Sequence, residues 1–316
     1  MRTPGPRTRF RAATAIGALL PLLAVAACGS GDATTTVGQS SPAPTDNPVA
    51  AVRKVDTVAA LLPADIRKAG ILRIGSSIGA PPSAYLPGGS DAQPVGLDID
   101  ISNAVAKVLG ITLNRQAASF ETILPALGSG KYGVGTGNFG VTSERLRSVD
   151  FVTYIDDGQG FAVRTGNTSL GSQVSNLGQL CGLTIGTGAG TTFEATLNAQ
   201  RDVCAKAGRK PYQVKVFAES GALVTALQQG RIDVEMSTIN GLRYQASQPA
   251  ARTTFLGEFH RLDVGFAFKK GSPLTRAFQA AVNRLISDGT YLRILRKWGV
   301  SASAIPESRI DPPEHK

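Results

Sequence analysis

Few residues in this chain of 316 have types and spacing suited to chemistry, and the best placed of them are suited to holding an anion. Arg145 follows a helix start at Thr142. Its guanidinium offers paired donors matched to a carboxylate, and the exposed N–H groups of a helix start lie nearby. An exposed helix arginine is the alternative reading, and Arg147, two positions on, faces elsewhere on a helix and reads as solvated. Gly190, Thr191 and Thr192 combine a glycine turn with two hydroxyls at the start of a second helix, so hydroxyls and N–H groups can converge on an anion from another side. Capping alone explains one of the two threonines. Catalysis needs a placed acid or base. Glu194, after the Thr pair, and Glu235, on the strand leading to Thr238, are the acids in position for it, and neither has an obvious partner. With two histidines, His260 and His315, and no CxxC or HExxH spacing, no metal site is expected, and no cofactor.

The elements that must position these residues alternate along the chain. From Ile71 onward, short β-branched runs alternate with amphipathic helical stretches, which points to an α/β body with largely parallel sheets. Leu72–Gly75 reads as the first strand. A helix then follows with Asp98 as its N-cap, an apolar stripe at Ile101, Val105, Val108 and Leu109, and Gly110 as its stop. Residues 123–134 and 223–234 echo each other at a spacing of 100, with helix, glycine stop, basic residue and strand in the same order. The two strands end at Asn138 and Thr238, and open α/β sheets bind ligands beyond the carboxyl ends of their strands. About 245 residues after Ile71 exceed one compact core, so two lobes are expected. The expected division is 65–157 with 264–305 as lobe 1, 158–263 as lobe 2, and 306–316 as a C-terminal tail. Two crossings between the lobes make a hinge.

The ends and the charge balance set the address. Arg2, Arg7, Arg9 and Arg11 precede the apolar run Ala15–Ala24, a basic region and a hydrophobic region too short to span a membrane. Residues 1–27 therefore read as a cleaved signal peptide. Val25-Ala26-Ala27-Cys28-Gly29-Ser30 resembles the bacterial lipobox, which implies a lipid on Cys28 and an extracytoplasmic place at the outer face of the cytoplasmic membrane; an incidental cysteine after an ordinary signal is the alternative. Residues 28–64, poor in large apolar side chains, read as a lipidated flexible tether. The net charge of +10 includes four arginines of the signal. The remainder is spread out, with no basic run longer than a pair such as Lys269–Lys270 and no interleaved aromatics, which argues against nucleic acid as a partner. Cys181 at the start of a strand and Cys204 at the end of the following helix form an even pair in an oxidising compartment, which points to a disulfide, with two buried thiols as the other reading.

Several segments in order carry a family resemblance. Val95–Ile101, reading VGLDIDI, resembles the GFDIDL signature of the family 3 bacterial solute-binding proteins, the polar amino acid receptors of ABC importers. Thr142–Arg145 with Val149–Tyr154 resembles their TxxR segment and the strand entering the hinge; Gly190-Thr191-Thr192 resembles their GTT turn, and Asp288–Tyr291 with Trp298 their DGTY ending. The likeness covers about Ile71 to Gly299. It implies a two-lobe periplasmic-binding-protein-like fold of type II and a small solute held between the lobes by Phe120, Asn138, Gly140, Thr142, Arg145, Gly190, Thr191, Thr192 and Thr238. Phe120 would pack on the apolar part of that solute, or serve as core. The implied partners are an ABC permease and ATPase, with the receptor a monomer.

Three departures limit what carries over from the family. Thr238 stands where members that bind α-amino acids commonly have an acid, Ala80 before Pro81 and Pro82 where many have a stacking aromatic, and Gly140 where a ligand-binding Ser is frequent. Tyr85 is the residue that could lean in for the missing aromatic. The expectation is thus a carboxylate-bearing solute, an amino acid or a derivative of one. The alternatives are a two-lobe enzyme of the cyclohexadienyl dehydratase type and a ligand sensor without transport.

Overall fold

A computed structural model describes residues 43–88 and 91–315. The expected signal peptide, Cys28 and the first part of the expected tether lie outside the described residues. Eight strands form one sheet: β1 Ile71–Ser76, β2 Thr112–Ala117, β3 Val134–Gly140, β4 Val149–Arg164, β5 Thr184–Gly188, β6 Gln213–Phe217, β7 Val234–Thr238 and β8 Thr253–Lys269. Their order is β2-β1-β3-β8-β4-β7-β5-β6. On one side β1 pairs in parallel with β2 and β3; on the other β5 pairs in parallel with β6 and β7. The antiparallel pair β4–β8 lies between these groups, bonding to β7 and β3 respectively. At 16 and 17 residues these strands are several times longer than a usual strand, so each runs through both halves of the molecule. The expected lobe limits at 157/158 and 263/264 fall inside β4 and β8, so the halves are joined by continuous strand.

The helices are α1 Asp56–Ala59, α2 Ala64–Ala69, α3 Leu97–Leu109, α4 Phe120–Gly128, α5 Thr192–Ala199, α6 Val203–Lys206, α7 Ser220–Gln228, α8 Ile239–Ser247, α9 Thr275–Ser287 and α10 Thr290–Lys297. One core joins α3, α9 and α10 to β1 and the adjacent parts of β4 and β8, through Ile74, Val105, Phe266, Phe278 and Ile294. Another fills the second half around Phe161, Ile185, Leu197 and Met236. The echo at a spacing of 100 is structural. α4 leads to β3 as α7 leads to β7, with Gly130 and Gly230 both left-handed (φ 76° and 70°) and the N–H of Lys131 and Arg231 bonded to Ala126 and Ala226. Left-handed φ at these stops is what selects glycine.

Four local expectations need correction. Residues 43–64 are not free tether, because Val49, Val52 and Leu62 are buried in the first core with Ala43, Val55 and Val58 packed against it. These side chains are small, but spaced so that one side of the segment covers α3 and α9, and Lys107 Nζ bonds the Val49 carbonyl at 3.0 Å. Asp98 is not an N-cap: α3 begins at Leu97 after Gly96, and Asp98 is buried inside the first turn. Residues 306–315 do not trail. Ile310 bridges to Val152, the Arg309 and Thr153 backbones bond, and Asp311 accepts from the Phe151 N–H at 2.6 Å. Cys181 precedes β5 by a turn, and Cys204 belongs to the separate short helix α6.

Candidate functional site

Arg145 sits in a single 3-10 turn, Arg145–Arg147, rather than in a helix, because Val149 already starts β4. The Thr142 hydroxyl accepts from the Arg145 N–H at 3.2 Å and fixes the turn. The guanidinium reaches across the molecule. Its Nη1 donates to the Gly140 carbonyl at the end of β3 (3.0 Å), and its Nη2 to the Gly190 carbonyl before α5 (3.1 Å). It lies 5.7 Å and 5.8 Å from the ring centroids of Phe120 and Phe139, which pack on each other at 4.7 Å. Guanidinium planes favour such faces. Burial lowers its pKa to about 10, leaving it charged at neutral pH. Among the described residues no carboxylate forms an ion pair with it. Phe139, fully buried, went unremarked in the sequence because an aromatic within a strand reads as core.

The opposing turn is held by its own contacts. The Thr191 hydroxyl caps α5, accepting from the Glu194 N–H at 3.2 Å and donating to the Gly188 carbonyl at 2.7 Å. Glu194, one of the two acids considered for catalysis, accepts from the Gly190 N–H at 2.9 Å. Gly190 is left-handed (φ 67°), and a Cβ there would come within 3.0 Å of the Glu121 Cβ on α4, so the halves meet at this turn. Gly140 is equally confined: a Cβ would stand 3.0 Å from Leu262 Cδ1 and 3.5 Å from Thr192 Cγ2.

Asn138, with φ 56°, is not the end of its strand as expected but lies inside β3, where the pairing with β8 is irregular. Its N–H donates to Asp98 Oδ2 at 3.2 Å and its Nδ2 to Asp157 Oδ2 at 2.9 Å. Asp98 also accepts from the Tyr154 hydroxyl at 2.7 Å, and Asp157 from the Asn240 N–H at 3.1 Å. Burial pushes both carboxyl groups up to about 6. Thr238 is a helix cap whose hydroxyl accepts from the Gly241 N–H at 3.0 Å. Gln159, opposite Thr238 in the β4–β7 register, donates through Nε2 to the Thr196 hydroxyl at 3.0 Å and the Thr192 carbonyl at 3.4 Å. Asp157 and Gln159 were missed. Their alternation on β4 was the available signal, since residues two apart share a strand face. Tyr85 does not stand in for the aromatic absent at Ala80: it is buried edge-on against Trp298 at 6.1 Å and tilted to Tyr244 at 6.3 Å. Glu235 is buried in the second half, bonded by Gln245 Nε2 at 2.8 Å and pushed up to about 7 by burial.

Cys181 and Cys204 are bonded, with Cα atoms 5.5 Å apart. The bridge closes a loop with a sequence separation of 23 that contains β5 and α5. Loop-closure entropy for that length gives about 3 kcal/mol. Replacing both cysteines by Ala is expected to lower the unfolding free energy by about that amount in urea titrations, and added reductant to destabilise the native protein similarly.

Among the described residues no helix is long and apolar enough to cross a membrane, and no His, Cys, Asp and Glu cluster could hold a metal ion. A family profile for bacterial extracellular solute-binding proteins, family 3, matches residues 72–301. The arginine-binding protein ArgT of Corynebacterium glutamicum is 28% identical over 260 residues, 81% of this chain and 83% of the relative. The ABC transporter glutamine-binding protein GlnH of Bacillus subtilis is 27% identical over 290 residues, 90% of this chain and 95% of the relative. A solved structure of an ancestral arginine-binding protein bound to arginine superposes with a TM-score of 0.64 at 33% identity, over 72% of this chain and 98% of that one. These relatives are binding proteins, not enzymes. With a sheet traversed by two shared strands and a half-buried arginine that bonds to both of its halves, the chain belongs to the bacterial extracellular solute-binding proteins of family 3.

Proposed function

We propose that this chain is the receptor of an ABC importer, a monomer anchored by a lipid on Cys28 at the outer face of the cytoplasmic membrane. It captures a small carboxylate-bearing polar solute, an amino acid or amino-acid derivative, when its two lobes close, and the closed form is what the permease reads. Residues 65–157 with 264–305 make one lobe and 158–263 the other. Arg145 is the carboxylate anchor. Gly140 and Thr142 shape the turn that holds it, Gly190, Thr191 and Thr192 complete the grip from the second lobe, and Phe120 covers the apolar part of the solute. Asn138, in the irregular part of β3, and Thr238, at the end of β7, face it.

One observation carries this reading: a half-buried guanidinium set against a packed pair of aromatic rings, its hydrogen bonds going to neutral carbonyls and no carboxylate among the described residues in an ion pair with it. The arginine- and glutamine-binding relatives point to the same class of solute. A thermal-shift screen of amino acids, N-substituted amino acids, opines and small dicarboxylates tests it. A true ligand at a hundred times its Kd adds about 2.7 kcal/mol of stability. Failure of every carboxylate-bearing compound to raise Tm overturns the reading.

A further inference from the structure

Residues 306–315 run along the strands that cross between the halves and end on the segment that carries Arg145. We propose that this C-terminal tail belongs to the binding apparatus: Glu314 directly, and Arg309 and His315 through Asp263, are positioning residues that hold the segment 140–145 from which Arg145 reaches the solute. The proposal rests on Arg145 as the carboxylate anchor.

The tail is fastened before it reaches that segment. One edge of β4 is paired with β8 along its length, but on the other edge β7 covers only 159–162. Residues 309–311 take the edge left open near 151–153. The Thr153 N–H donates to the Arg309 carbonyl at 3.0 Å, Ile310 bridges to Val152, and the Asp311 N–H donates to the Phe151 carbonyl at 3.1 Å. Ser308 is buried just before them, its hydroxyl donating to the Thr153 carbonyl at 2.6 Å and its N–H to Asn283 Oδ1 at 2.7 Å. Ladder bonds of this kind fix register, so the residues that follow have a defined reach.

Two contacts then act on the arginine segment. Glu314 Oε2 accepts from the Ser143 N–H at 2.8 Å, two residues before Arg145. Asp263 stands on β8 with its carboxylate buried, and both groups bonded to that carboxylate come from the tail: Arg309 Nη2 donates to Oδ2 at 2.9 Å, and His315 Nε2 lies 2.9 Å from the same oxygen. The Asp263 carbonyl in turn accepts from the Val141 N–H at 2.7 Å, next to the Gly140 whose own carbonyl receives Arg145. The segment is thus held at Val141 through Asp263 and at Ser143 by Glu314.

Electrostatics gives the tail a reason to be there. Asp263 is opposite Asp156 in the β4–β8 register, and like charges facing each other across strands are unfavourable. A buried carboxylate also needs its donors, and here the tail brings them. The arginine segment has few restraints of its own, since its 3-10 turn is three residues long and Ser143 and Glu144 are exposed. A site binds tightly when its groups are already in place, so an anchor on such a turn gains from an outside hold.

The native protein is titrated calorimetrically with the twenty free amino acids, and the tightest of them is used for every variant. Glu314→Ala is expected to weaken its binding about threefold to tenfold, with the Tm of the ligand-free protein close to native. Glu314→Gln should restore most of the loss, because its amide oxygen can still accept from Ser143. In an Arg145→Ala background, Glu314→Ala should cost nothing further, because the group it positions is gone. His315→Ala is expected to weaken binding about twofold to fivefold, and native affinity there overturns the route through Asp263. Native affinity in Glu314→Ala, or an undiminished loss on top of Arg145→Ala, overturns the proposal and leaves the anchor standing. Native affinity in Arg145→Ala alone overturns the anchor. If none of the twenty binds, amide exchange at Ser143 in the ligand-free protein decides. Exchange about fivefold faster in Glu314→Ala, and recovered in Glu314→Gln, supports the hold on the turn; native exchange in both variants overturns it.

Discussion

Replacing Arg145 by Ala lowers the affinity for the carboxylate-bearing ligand by about thirtyfold to several thousandfold, the 2 to 5 kcal/mol typical of truncating one side of a buried charge pair. The size of the effect follows from the surroundings. The guanidinium lies against the packed pair Phe120 and Phe139, so a carboxylate docked on it is shielded from water on that side. The same group spans Gly140 in its own half and Gly190 in the other, so its loss also removes one hydrogen bond that draws the halves together. Arg145→Lys separates the two contributions. It keeps the charge but cannot fork to two carbonyls and a ligand at once, so its affinity is expected to fall between native and Ala. The fold survives both changes, because the turn is held by Thr142 and the two rings pack on each other. Calorimetric titration with the ligand found by the thermal-shift screen checks this, and native-like affinity in the Ala variant would sink the anchor.

The ligand-free protein is more stable near pH 5 than near pH 7.5. Asp98 and Asp157, raised by burial to about 6, and Glu235, raised to about 7, take up protons more readily folded than unfolded. Stability from a raised acid is present at low pH and is lost as pH rises from the unfolded value through the folded one, here from about 4 to about 7. Each shift corresponds to about 3 kcal/mol at full extent. Asp150 and Glu258 are lowered by their partners Lys270 and Arg261 and act in the opposite sense, but only as pH falls toward and below about 4. The interval from pH 7.5 to 5 is therefore governed by the raised group. Urea midpoints measured across it should rise as the pH falls, and flat or falling midpoints would contradict the burial argument. Glu235→Gln isolates one contribution. The amide keeps an acceptor for Gln245 and has no charge to bury, so the variant should gain about 1 to 3 kcal/mol near pH 7.5 and little near pH 5.

Much of the framework was legible because it depends on neighbours in sequence. Left-handed glycines at 110, 130 and 230 end a helix or the turn after one, the spacing of 100 relates two helix–strand units, and Thr191 caps the helix it precedes. The place of Arg145 was readable for the same reason, since Thr142 bonds it three residues away. The segment 43–64 misled because its apolar side chains are small and scattered. They become core only when α3 and α9, both distant in sequence, form a surface for them.

By itself the sequence determined the alternation of strand and helix, the repeated unit, the family and the arginine proposed as carboxylate anchor, all carried by residue types at short spacing. Only the tertiary structure decided what surrounds that arginine and what stands opposite it. Phe139 packs against Arg145, and Asp157 and Gln159 bond Asn138 and the Thr192 turn, because β3 and β4 bring distant residues together, while the Thr238 hydroxyl and the Glu194 carboxylate already accept from local N–H groups. A hydrogen-bonding group can be counted from a sequence. Whether its capacity is already used depends on where the chain puts its partners.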